Sequence, residues 1–138
     1  MFDERQLPEE RDAVAPDGSD VRLLLTLDGG SAAHFQLPPG QTSVAVRHRT
    51  VEEIWVFLSG HGVMWRRDDE REAQLPVGPG SAVTIPVGTD FQFRADAGVE
   101  PLAAIGVTMP PWPGDGEAIR AVGTWEATVP PGPGLVDE

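Results

Sequence analysis

The chain has 138 residues, 40% of them hydrophobic, with 22 acidic residues against 10 basic ones and a net charge of -12. That length suits one domain with a single core, and the charge repels nucleic-acid phosphates and anionic membrane surfaces, so neither is expected as a partner. No Cys, Lys, Tyr or Asn occurs, which removes disulfides, thiolate nucleophiles, Schiff-base and phosphate-loop lysines and tyrosine acids, and leaves three histidines, the carboxylates, Ser and Thr hydroxyls and Arg for chemistry.

The chain opens with the charged MFDERQLPEERD, where a signal peptide would be apolar, and no run approaches the roughly 20 apolar residues of a membrane span. A cytosolic protein is expected, with residues 1–20 as an N-terminal arm, exposed or lying on the domain. From Val21 the texture changes. VRLLLTL, AHFQL, SVAVRHR, EIWVFL, GVMWRR, SAVTIPV, FQFRA and PLAAIGVTM are short runs rich in β-branched and aromatic residues, divided by DGGS, LPPGQ, SGHG, VGPGS and DAGVE. Many short strands at regular spacing predict an all-β antiparallel sandwich or barrel over residues 21–113. Residues 114–138, with VPPGPG near their end, read as an extension and tail; within them GEAIRAVGTW fits a helical turn or an edge strand.

Strand alternation puts Val46 and His48 on one face, and Glu53, Trp55 and Phe57 on one face of the next run. If both faces are interior, an imidazole and a carboxylate point into an aromatic-lined cavity, as a metal half-site or as a paired proton donor and acceptor. The plainer alternative is a hydrogen-bonded polar pair left in an apolar core. His61, between two glycines in SGHG, reads as an exposed hairpin residue, and His34 as a satisfied histidine on a sheet face.

This stretch resembles the first motif of the cupin family, a small jelly-roll barrel: Gly, five residues, His-x-His, three or four residues, Glu, six residues, Gly. Here Gly40, VRH at 46–48, Glu53 and Gly60 keep the register and put Val46 at the first histidine. The second motif is Gly, five residues, Pro-x-Gly, two residues, His, three residues, Asn. It is matched by Gly80, Pro86 and Gly88, with Phe91 at the histidine and Ala95 at the asparagine. The resemblance implies an all-β cupin-like antiparallel jelly-roll β-barrel with a degenerate metal site, of which His48 and Glu53 survive. Asp90, one residue before the expected ligand, becomes a third donor only if a bulge swings it inward, because by parity it faces away from Phe91. One His and two carboxylates would suit Mn or Fe(II) better than structural Zn; the alternative is no metal.

The resemblance implies a small-molecule enzyme of the stand-alone bacterial cupin type. Its catalytic pair would be His48 and Glu53, acting on an apolar or aromatic metabolite bound by Val46, Trp55, Phe57, Phe91 and Phe93. HRTVEEIW and VTMPPWPG further resemble small cupins associated with aromatic polyketide cyclisation. The other reading is a metal-free binding or sensing module. Exposed sheet edges predict a homodimer.

Overall fold

A computed structural model describes residues 1–138. Eleven strands and no helix form two facing sheets. They are β1 (Ala13–Val14), β2 (Asp20–Leu27), β3 (Gly30–Leu37), β4 (Val46–His48), β5 (Glu52–Ser59), β6 (Gly62–Arg67), β7 (Glu72–Val77), β8 (Ala82–Ile85), β9 (Asp90–Ala95), β10 (Leu102–Met109) and β11 (Ala118–Arg120). One sheet runs β1-β2-β3-β10-β5-β8 and the other β11-β4-β9-β6-β7, all pairs antiparallel. No helix is long and apolar enough to cross a membrane.

The expected jelly roll is present, but its two sheets do not close into one barrel. The consecutive strands β7 and β8 are edges of different sheets, and Pro76 inside β7 and Pro86 just after β8 have no N–H with which to continue a ladder. The four motif glycines, Gly40, Gly60, Gly80 and Gly88, all adopt positive φ. Gly60 is the most constrained: φ is 74°, and a Cβ there would lie 2.2 Å from the carbonyl oxygen of Pro101.

Both flanks are drawn into the domain. β1 pairs with Val21 and Asp20 of β2, and Arg22 holds the arm further out by donating to the carbonyl oxygens of Pro8 (3.0 Å) and Glu9 (2.7 Å). The open question over GEAIRAVGTW resolves as an edge strand: β11 pairs with β4, and Ile119 bridges Val136 near the C-terminus.

The core between the sheets is centred on Trp55. Its indole stacks on Phe35 (5.0 Å, 6° between planes) and meets the rings of Phe57, Phe91 and Phe93 at 6.0, 5.8 and 5.2 Å. Gly106 of β10, opposite Trp55, makes this packing possible, because a Cβ there would sit 2.7 Å from Phe35 and 2.9 Å from Trp55 Nε1. On the other face of β5, Ile54, Val56 and Leu58 form an exposed apolar row.

Candidate functional site

His48 is the last residue of β4 and Glu53 the second of β5, and the turn between them is fixed by a residue of the C-terminal extension. The Glu117 carboxylate accepts the backbone N–H groups of Thr50 (2.8 Å) and Val51 (3.2 Å) and the Thr50 hydroxyl, while its own carbonyl accepts the N–H of Arg49 (3.0 Å). Its neighbour Ala118 pairs with His48 across the β4–β11 ladder. With the turn so held, Glu53 Oε1 lies 3.3 Å from His48 Nδ1. Both side chains are buried, at 6% and 3% exposure.

Burial governs the charges of the pair. The imidazole lies edge-on to Phe91 (5.2 Å) and Trp112 (5.0 Å), and loss of hydration pushes its pKa down to about 4, against a smaller pull from Glu117 in the opposite direction. The same loss pushes Glu53 up to about 8; the Trp55 indole N–H partly offsets it, and the negative charges of Asp17 and Glu117 add to it. Both shifts act against charge, so burial favours an uncharged imidazole facing an uncharged carboxylic acid over an ion pair. Glu53 Oε2 accepts the indole N–H of Trp55, which leaves the acid proton on Oε1, facing Nδ1. Nδ1 is buried and engages no other group, and its approach to Oε1 is a 3.3 Å contact without hydrogen-bond geometry. The imidazole proton then resides on Nε2.

The pair lies in the wall of a cavity of about 470 Å³ between the sheets. Val46, Trp55 and Phe91 line it with His48 and Glu53, as the alternation implies. Phe57 and Phe93 do not reach it: they sit one step further along their strands, packed against Trp55. Their expected role as wall residues is corrected to that of core beneath the wall. Phe35 and Trp112, which alternation alone does not point to, complete the aromatic surface.

Strands β2, β3 and β10 supply much of the remaining wall, and the flanks add Ala13 to Asp17 on one side and Pro111, Trp112, Gly114, Asp115, Pro133 and Gly134 on the other. Asp17 is 4% exposed and brings a third buried ionisable group. It lies in the segment 1–20 expected as an arm, exposed or lying on the domain, and no local pattern there marks a residue that will be buried. No arginine lines the cavity. His61 is exposed at the β5–β6 hairpin. His34, on the face of β3 opposite Phe35, is buried with Nδ1 unpartnered rather than satisfied.

Asp90 does not join the pair. Its carboxylate turns to Arg67 (2.8 Å) and Arg47 (3.8 Å) on the outer side of β9, while Phe91 points inward, so regular alternation prevails over the bulge that would have made Asp90 a ligand. No group of three His, Cys, Asp or Glu side chains converges anywhere in the chain. With hydrocarbon at Val46 and Phe91 and only two donors left, the residues do not fit a resident Mn, Fe or Zn ion, which takes at least three protein ligands.

No curated protein matches the sequence. Among the solved structures similar to the chain in fold are the following three. A predicted oxalate decarboxylase from Thermotoga maritima gives 16% identity, coverage of 79% of this chain and 99% of that one, and a TM-score of 0.62. Oxalate decarboxylase from Bacillus subtilis gives 14%, 87% and 32%, and 0.71. The capsular polysaccharide assembling protein CapF from Staphylococcus aureus gives 22%, 69% and 29%, and 0.58, so the chain spans under a third of the length of the latter two. Identities this low speak for the fold alone. Residues 33–108, more than half of the chain, match the family described as Cupin domain. Together with the two glycine-marked motifs and the jelly-roll sheets, that match makes this chain a member of the cupin superfamily.

Proposed function

We propose that the protein is a proton-transfer enzyme acting on an uncharged, planar apolar molecule that carries a carbonyl or hydroxyl oxygen. The observation that carries this reading is the buried His48–Glu53 contact, Nδ1 to Oε1 at 3.3 Å, in the wall of an aromatic cavity. A ligand oxygen at His48 Nε2 takes the imidazole proton, Nδ1 takes the proton of Glu53 Oε1, and the resulting carboxylate keeps the Trp55 N–H as its hydrogen-bond donor. With a ketone, the α-proton leaves to water; water then returns a proton to Nε2 while Nδ1 hands its proton back to Glu53 Oε1, so the pair regains its starting state and the net change is keto to enol. An acid near pKa 8 buried beside a neutral imidazole is suited to such a relay at neutral pH. The lack of arginine in the wall disfavours sugar phosphates and other anions.

The test is deuterium exchange at the α-carbon of 2-tetralone in D₂O, followed by NMR. The wild type is expected to accelerate it. Glu53→Gln keeps an N–H toward Nδ1 and a carbonyl toward Trp55 but has no acid proton, so it is expected to fold and to lose roughly 100-fold to 10,000-fold in rate. His48→Ala should lose as much, and His61→Ala nothing. Tetralone binding without exchange in the wild type would favour the second reading, a binding module, which the hydrocarbon side chains at positions 46 and 91 support. No binding at all would overturn both.

A further inference from the structure

Asp17 takes no part in the relay, yet it is the other buried carboxyl in the cavity wall. Its backbone is fixed, since its carbonyl oxygen accepts the N–H of Val44 at 2.8 Å. Its side chain is half occupied. Oδ1 accepts both the backbone N–H (2.9 Å) and the hydroxyl (2.6 Å) of Ser19, whereas Oδ2 has no partner in the protein and is not among the sealed polar atoms. An unpartnered carboxyl oxygen that is still reachable, on a residue only 4% exposed in the cavity wall, is open to a hydrogen bond with a group bound in the cavity. Ser19 fixes which oxygen is free.

We propose that Asp17 is a specificity residue of this cavity, its Oδ2 hydrogen-bonding a second oxygen group of the ligand while His48 engages the reacting oxygen. The inference rests on the proton-transfer reading and narrows its ligand class to planar molecules bearing at least two oxygen groups. Asp17 lies outside residues 33–108, so this selectivity belongs to the flanking segment, which supplies the wall residues Ala13–Asp17, and not to the shared jelly roll.

The consequence is measurable with 1,3-dihydroxynaphthalene and naphthalene, which share a ring system and differ in hydrogen-bonding groups, by calorimetric titration of the full chain. The wild type is expected to prefer the diol. Asp17→Val, close to it in shape, removes the carboxyl, so it should weaken diol binding about tenfold and leave naphthalene unchanged. Should the Val variant fail to fold, Asp17→Ala is read in the same way. The 3-methyl ether of the diol on unaltered protein gives a second reading: it has one hydroxyl fewer and is expected to bind the wild type less tightly than the diol, and equally to the diol in the Asp17 variant. A diol-to-naphthalene preference that survives in the Asp17 variants overturns the role of Asp17 while leaving the proton-transfer reading intact. Failure of the wild type to bind either compound overturns both.

Discussion

Glu117 reaches from the C-terminal extension to accept the N–H of Thr50 at 2.8 Å, and thereby holds the turn that separates the two facing side chains, His48 and Glu53. Burial alone would raise its pKa, but the hydrogen bonds from the Thr50 hydroxyl and from the backbone of Thr50 and Val51 outweigh that and hold it below the usual carboxylate range. Because its folded pKa is depressed, its stabilisation is present above the ordinary value of 4.5 and is lost as pH falls below it. Glu117→Ala leaves those donors unpaired. It is expected to lose about 1.5–3 kcal/mol, or roughly 5–12 °C in Tm, at pH 7. The loss should shrink toward pH 3, and a melting curve unchanged at pH 7 would show that the clamp carries no stability.

The His48–Glu53 pair gives stability a pH signature of the opposite hand. Glu53 keeps its proton in the folded state up to about 8, whereas the unfolded chain releases it near 4.5. Stability is therefore lost as pH rises between those values, by about 1.4 kcal/mol per pH unit at most. His48 acts in reverse: its folded pKa of about 4 lies below the ordinary 6.5, so stability rises with pH across that interval. The two slopes oppose each other up to pH 6.5, above which His48 no longer offsets the fall due to Glu53. Asp17, raised by burial, adds to the fall, and Glu117, which is lowered, acts only in acid.

Comparison with Glu53→Gln cancels the other groups. The stability difference, variant minus wild type, is expected to grow in favour of the variant from pH 4.5 to about 8 in urea titrations. An infrared band of a protonated carboxyl at pH 7, absent in Glu53→Gln, would report the same proton directly. A pH-independent stability difference would mean that Glu53 is ionised.

Gly106 joins the fold to the site. A Cβ at this position would lie 2.9 Å from Trp55 Nε1, the donor to Glu53 Oε2. Gly106→Val is expected to displace the indole, cost about 1–3 kcal/mol from overpacking, and change the Glu53 titration through loss of its hydrogen-bond donor. An unshifted Glu53 titration in a folded Gly106→Val protein would separate the Trp55 bond from the acid's pKa.

The extent to which the site is legible in the sequence follows from the range of the interactions that build it. Period-2 alternation through SVAVRHR and EIWVFL places His48, Glu53 and Trp55 on inward faces, and Gly40, Gly60, Gly80 and Gly88 mark the family's turns, because a turn needing positive φ selects glycine locally. The same parity turns Asp90 away from Phe91, as its contacts with Arg47 and Arg67 bear out. Alternation assigns a side to a residue but not a depth. Which inward aromatics reach the cavity, Trp55 and Phe91, and which lie beneath it, Phe57 and Phe93, was decided by how the two sheets face each other. Asp17 and Glu117 sit in turn-like, charged stretches whose local pattern matches that of exposed loops. They are buried only because the chain ends fold back over the sandwich, and the resulting loss of water, which no local pattern encodes, sets the protonation of His48 and Glu53.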